Sequence, residues 1–375
     1  MRVLVTGAAG FIGFHVSRRL IGRGDAVLGI DNLNEYYSPT LKRDRLAAIA
    51  DPARFRFRAV DFADHDALDA ALAAEEFDCI VHLGAQAGVR YSIDQPRAYA
   101  RSNLMGHLNL LEIARQRRVR HVVYASSSSV YGANTSLPFG VDDRVDHPLS
   151  LYAATKKADE LMSETYAHLY RIPMTGLRFF TVYGPWGRPD MAMWLFTDAI
   201  LAGRPIRLFN GGDMRRDFTY IDDIVAGVLA CLDHPPSDDG SVKAGGSIAP
   251  HRLYNIGNNR SEPLERLVTL LEQACGRTAI RELAAMQPGD VPDTYADLSA
   301  ITADLGYRPA TSIDVGVPRF VEWFRRYHAL ADSAVDVRPA QAPSITRRDR
   351  ERAAAGVPAR SPQQPEARPV NISSG

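Results

Sequence analysis

The sequence predicts an α/β fold: a doubly wound, parallel, Rossmann-type sheet with a smaller α/β substrate-binding lobe. Three observations carry this. Short apolar runs alternate with longer helical stretches through the first half. A glycine triplet joins the first run to the first helix, and an acid closes the second run.

Residues 3–5, 26–30, 55–60, 79–83 and 122–125 read as strands. Between them, residues 12–23, 40–50, 65–75, 97–117 and 150–171 read as helices. Parallel strands need such crossovers, and right-handed crossovers wind the sheet in both directions. After about residue 176 the pattern is less regular, with Gly and Pro turn signals such as Tyr183-Gly184-Pro185. A binding domain over 1–175, its sheet completed by parts of 214–233, and a lobe over 176–331 are therefore expected. Residues 234–250 read as a surface loop. From 332 to 375 aromatic residues and leucine are absent, and Pro, Ala and Arg abound, which predicts a disordered tail.

Composition narrows the function. Forty-four basic residues balance 44 acidic ones, so no global field gathers nucleic acid or an anionic membrane. No apolar run approaches the roughly 20 residues of a membrane span. The first strand begins at residue 2, leaving no signal peptide before it, so a cytoplasmic location is expected. Cys79, Cys231 and Cys275 lack metal-ligand spacing and read as reduced structural thiols, and no metal site is expected.

Gly7, Gly10 and Gly13 frame Phe11 and Ile12 between the first strand and the first helix. Glycines there let a pyrophosphate approach the helix N-terminus. Asp31, followed by Asn32, lies where a carboxylate binds ribose hydroxyls and repels a 2′-phosphate, which favours NAD over NADP. Asp61 and Phe62 close the third strand beside the expected adenine, although Asp61 also reads as a helix cap. Leu83, Gly84, Ala85 and Gln86 close the fourth, under the expected pyrophosphate.

Tyr152 and Lys156 are four apart in a predicted helix and share one face. A phenol is a weak base near neutrality, but a fixed ammonium favours its phenolate, which can deprotonate an alcohol. A run of four serines, Ser126 to Ser129, sits a short way upstream after the apolar segment 122–125. Serine, tyrosine and lysine beside a dinucleotide point to alcohol oxidation.

The Gly7/Gly10/Gly13 spacing, Ser127, Tyr152 and Lys156 resemble the extended short-chain dehydrogenase/reductase family of nucleotide-sugar enzymes, over roughly residues 1–328. Segments 32–37, 41–43, 87–92, 178–191 and 216–223 are most similar to the UDP-glucuronate 4-epimerases within it. The resemblance implies tightly held, recycled NAD, a UDP-sugar substrate and a homodimer. It implies that Ser127 and Tyr152 meet the sugar 4-hydroxyl, and that Lys156 meets Tyr152 and the nicotinamide ribose. Arg216 and Asp290 fall where the family handles UDP. Arg188, with Arg90 as a second candidate, falls where a uronate carboxylate would sit.

Related enzymes share the first oxidation and differ afterwards. Dehydratases carry Asp-Glu, and decarboxylases Glu, before the Val-Tyr-Gly element; this chain has Ser128-Ser129 before Val130. Thr181 departs from the Asn common in hexose 4-epimerases. The residues favour C4 epimerisation between UDP-glucuronate and UDP-galacturonate. A UDP-glucose/UDP-galactose epimerase, a UDP-glucuronate decarboxylase and a net oxidoreductase remain as alternatives.

Overall fold

Val3, Leu4 and Val5 are buried on both faces of β1 (Arg2–Thr6), as a sheet covered by helices requires. The computed structural model describes residues 1–49, 51–287 and 289–336, with side chains up to residue 329. From β1 the chain runs through α1 (Phe11–Gly22), β2 (Ala26–Asp31), α2 (Pro39–Ala47), β3 (Phe55–Ala59), α3 (His65–Leu72) and β4 (Cys79–His82). Two short helices follow, α4 (Tyr91–Asp94) and α5 (Pro96–Tyr99). A π-helical stretch, Ala100–Met105, then leads into α6 (Gly106–Gln116). Next come β5 (His121–Ser127), α7 (Leu151–Tyr170) and β6 (Met174–Phe179). The alternation read from the sequence is realised, and the helix expected over 97–117 is α5, the π stretch and α6 end to end.

The second half contains β7 (Thr181–Tyr183), α8 (Ala192–Ala202), β8 (Pro205–Leu208), β9 (Arg215–Tyr220) and α9 (Ile221–Asp233). After the 234–250 loop come β10 (His251–Ile256), β11 (Ser261–Pro263), α10 (Leu264–Cys275), β12 (Ile280–Leu283), α11 (Ser299–Leu305) and α12 (Ile313–Asp336).

Seven parallel strands form the central sheet in the order β10-β6-β5-β4-β1-β2-β3. The order reverses between β1 and β4, which opens a crevice beyond their carboxyl ends. Two small sheets, β11-β9-β7 and β12-β8, build the other lobe. Met1–Tyr327 makes one compact unit, which holds every candidate site residue.

The boundary expected at 175 needs correction. The 214–233 segment adds no strand to the central sheet: β9 pairs with β7 and β11. Its second half is α9, which buries Ile224, Val228 and Leu232 against α1 and β5. Apolar residues at helical spacing form a covering layer, whereas a strand would alternate. The sheet is completed by β6, which straddles residue 175, and by β10. The tail expected over 332–375 lies outside the described residues from 337 onward; 332–336 continue the backbone of α12.

Candidate active site

The glycine turn is fixed by close approach. Gly7 has φ +66°, and a Cβ on it would lie 2.8 Å from the Gly84 Cα. A Cβ on Gly13 would lie 2.1 Å from the Gly7 carbonyl oxygen. The turn enters α1 at Gly10 with no side-chain cap and no acid in the first turn. The amides of Phe11, Ile12 and Gly13 therefore remain for an anion.

Asp31 ends β2 and is buried. Its oxygens accept from Leu33 N (2.8 Å) and Ala9 N (3.2 Å), which ties it to the glycine turn. Burial pushes its carboxyl up, against those amides and the nearby Lys42 ammonium. Asn32 is exposed, and its Oδ1 accepts from Asn34. Asp61 accepts from Ala63 N and pairs with Arg101 at 3.2 Å, while the cap of α3 is Asp64. Phe62 is buried edge-on to His82. Leu83, Gly84, Ala85 and Gln86 leave β4 along the crevice, and Gly84 N donates to Thr6 Oγ1 at 2.9 Å.

Two buried side chains missed by sequence reasoning hold this cradle. Asn103, in the π stretch, accepts from Gln86 N (2.8 Å) and donates to Gln86 O (3.1 Å) and Thr155 Oγ1 (3.0 Å). It joins the β4 loop to α7, and π turns of this kind recur at functional sites. Arg45 is fully buried without a carboxylate partner among its hydrogen bonds. It donates to Ala9 O (2.9 Å), Tyr37 OH (2.7 Å), Trp186 O (2.7 Å) and Gly187 O (3.1 Å). One guanidinium thus fastens the glycine turn to the segment that carries Arg188.

Ser127 ends β5, where its Oγ accepts from Ser129 N at 3.2 Å. Tyr152 is the second residue of α7, whose start is capped by Ser150 Oγ accepting from Ala153 N at 3.1 Å. Lys156, one turn later, is buried; its Nζ donates to Ala125 O on β5 and to Asp159 Oδ2, both at 2.9 Å. The ammonium is therefore fixed beside the strand that carries Ser127. Beneath them, Ser126 Oγ donates to Glu160 Oε1 at 2.7 Å. Arg178 Nε and Nη2 donate to the two Glu160 oxygens at 2.8 and 3.0 Å. Burial raises the cost of the Glu160 charge, yet Arg178 holds its carboxyl below the usual range. This pair locks α7 against β5 and β6.

The substrate-side residues fall into two groups. Arg216 Nη2 pairs with Asp290 Oδ1 at 2.8 Å, and Arg216 also donates to Pro292 O. Burial pulls Arg216 down from its ordinary range, with Asp290 opposing and the Arg90 charge adding to the fall. Arg90 is exposed and lies over the Phe209 ring at 4.7 Å. In the second group, Arg188 makes a two-pronged pair with Asp190, Nε to Oδ1 at 3.0 Å and Nη2 to Oδ2 at 2.5 Å. Tyr36 donates to the same Oδ2 at 3.0 Å. From Tyr36 an aromatic row runs through Tyr91 (4.8 Å between centroids) and Tyr99 (6.2 Å) to Tyr152 (6.0 Å). Ser128 is half-buried just past Ser127, and Thr181 opens β7. Arg90 thus groups with Arg216 and Asp290, and Arg188 is joined through Asp190 to Tyr36, a ring of the row that ends on Tyr152.

A dinucleotide cradle with serine, tyrosine and lysine at the end of β5 and the start of α7 suits an enzyme that moves hydride between an alcohol carbon and a nicotinamide. The chain belongs to the NAD dependent epimerase/dehydratase family, whose model matches residues 3–257. It is 47% identical over 341 residues to the probable UDP-glucuronate 4-epimerase of Rhizobium meliloti, covering 89% of this chain and 100% of that protein. It is 48% identical over 332 residues to UDP-glucuronate 4-epimerase 4 of Arabidopsis thaliana, covering 87% of this chain and 76% of that protein. Among solved structures it resembles the UDP-glucuronic acid 4-epimerase of Bacillus cereus in complex with UDP-glucuronic acid and NAD. The TM-score is 0.77 at 32% identity, over 87% of this chain and 100% of that one. NAD is the cofactor of this family, and the uncapped α1 N-terminus, the side-chain-free glycine turn and Asp31 fit it.

Proposed function

We propose that this chain interconverts UDP-glucuronate and UDP-galacturonate by inverting C4 through a transient 4-keto sugar. The observation that carries this reading is the carboxyl end of β5. Ser127 and the Lys156-anchored helix start meet there with no carboxylate following Ser127, while Arg188 is tied through Asp190 to the aromatic row that ends on Tyr152. Held by the glycine turn and Asp31, NAD would supply the hydride acceptor for C4 and the donor that restores it. Tyr152 takes the 4-hydroxyl proton and gives it back, and Ser127 holds that oxygen by a hydrogen bond. Lys156, one helical turn from Tyr152 and fixed on Ala125 O and Asp159, would meet the nicotinamide ribose. Gly7 to Gly13 and Leu83 to Gln86 receive the pyrophosphate, Asp31 and Asn32 the ribose, and Asp61 and Phe62 the adenine. Arg216 and Asp290, with Arg90, take the UDP moiety. Ser128 and Thr181 line the sugar pocket, and Arg188 takes the uronate carboxylate as a two-pronged partner.

Incubation with UDP-glucuronate and identification of the products tests this. UDP-galacturonate at equilibrium with substrate, without accumulated NADH, is expected. UDP-xylose alone, or no conversion, overturns it.

The same reading includes a homodimer and a cytoplasmic setting. Met105 on the π stretch and Leu161 and Leu169 on α7 are exposed apolar side chains, which a second copy would cover. Light scattering should give twice the monomer mass, and Leu161→Lys should lower it. Three buried free thiols suit a reducing compartment.

A further inference from the structure

We infer that Asp190 and Tyr36 are positioning residues for Arg188, and that their hold on its guanidinium keeps the keto sugar from losing CO2. This rests on the carboxylate role given to Arg188 above. An arginine side chain carries several freely turning bonds, and a two-pronged grip on a carboxylate works only if the fork is already aimed. Here the aim is supplied from one edge. Asp190 engages Nε and Nη2, and among the described residues Nη1 makes no hydrogen bond. The opposite edge of the fork, Nη1 with Nη2, is left for a second carboxylate.

Asp190 is itself fixed from the cofactor side. Tyr36 lies in the segment after β2 and donates to Asp190 across 154 positions of sequence. Its ring packs on Tyr91, and the next ring in the row, Tyr99, is buried and anchored by its hydroxyl on Ala87 O (2.8 Å) and Gly88 O (2.5 Å). The row ends on Tyr152. The direction of the Arg188 fork is thus referenced to the same wall that carries the proton-transferring phenol. Arg45 fixes the backbone just before Arg188 through Trp186 O and Gly187 O.

The chemical consequence follows from orbital alignment. In the 4-keto sugar the C5–C6 bond lies next to the C4 carbonyl. When that bond aligns with the π system, its electron pair passes into C4=O and CO2 departs. The resulting enolate takes a proton at C5, and return of hydride to C4 yields a UDP-pentose. A carboxylate held by an aimed fork is kept out of this alignment; a loosely held one turns into it.

The test measures the ratio of UDP-galacturonate to UDP-pentose formed from UDP-glucuronate, together with retained NAD and the thermal midpoint. Asp190→Asn keeps shape and loses the two-pronged charge; Tyr36→Phe removes only the hydroxyl and serves where the first variant folds poorly. Both are expected to lower the ratio by about 10- to 100-fold, with NAD retention unchanged. Arg188→Ala should lower it as well. A lower ratio in Arg188→Ala with a wild-type ratio in both Asp190→Asn and Tyr36→Phe overturns this inference and leaves the carboxylate role standing. A wild-type ratio and rate in Arg188→Ala overturns the carboxylate role itself.

Discussion

The ammonium of Lys156 lies 2.9 Å from Oδ2 of Asp159, and both side chains are buried on α7. A buried pair of this kind is costly to break from one side and cheap to replace as a unit. Asp159→Asn is predicted to cost about 3–5 kcal/mol in chemical denaturation. Lys156→Met combined with Asp159→Leu should recover most of that stability while remaining inactive. Equal or greater destabilisation in the double variant would show that the pair holds the fold by something beyond charge compensation.

Tyr152→Phe removes the proton carrier and leaves the cradle intact. Turnover of UDP-glucuronate should fall by at least about 100-fold, with NAD still copurifying. Turnover within a few-fold of wild type would remove Tyr152 from the chemistry.

Arg45→Met should strip hydrogen bonds from the carbonyls of Ala9, Trp186 and Gly187 at once. Each buried polar group left unpaired costs about 1–3 kcal/mol. A lower thermal midpoint and loss of NAD on gel filtration are expected together, because the same guanidinium holds the glycine turn. A lower midpoint with full NAD occupancy would separate the two lobes' roles and count against the link.

Stability should fall between pH 7 and pH 5. Burial pushes His121 down to about 3, against the Leu232 carbonyl that favours its charged form. An unfolded histidine titrates near 6.5, so this stabilisation is present above that pH and is lost as pH falls toward 3. His82 and His107, also lowered by burial, act in the same direction. Asp217 opposes them. Burial pushes its carboxyl up to about 6, despite donation from Asn258 N, Ala296 N and Thr219 Oγ1. A raised carboxyl contributes stability below its unfolded value that disappears as pH rises through 6. From pH 7 to 5, His121 alone gives up about 2 kcal/mol and Asp217 returns about 1 kcal/mol. Urea midpoints at the two pH values should show a net loss, steeper in Asp217→Asn. A wild type more stable at pH 5 contradicts this balance.

The central alternation and the site's anchor residues were legible because their signals are local. The glycine triplet spans seven residues, and Tyr152 and Lys156 are one helical turn apart. Asp159 and Glu160 were not legible. Following two lysines, they read as a charged helix surface, yet both are buried, Asp159 paired with Lys156 one turn back on α7 and Glu160 with Arg178 on β6. Arg45 was hidden for another reason: its acceptors are backbone carbonyls 141 and 142 positions away, and carbonyls leave no mark in a sequence. The misplaced 214–233 segment shows the same limit. The run Phe-Thr-Tyr-Ile announces a strand, but nothing in it says which sheet it joins.

The position of β10 at the far edge of the central sheet bears on how the protein is made. Its partner β6 is complete near residue 179, and β10 arrives at 251–256. At about 5–20 residues per second, a ribosome leaves the outer edge of β6 bare for several seconds. An uncovered apolar strand edge invites pairing with another nascent chain. Residues 180–250 therefore emerge while the first six strands are already able to assemble. A chain cut at 175 ends inside β6 and loses both it and β10, so the first lobe is not a separable half: it is closed by a strand synthesised after β7, α8, β8, β9 and α9.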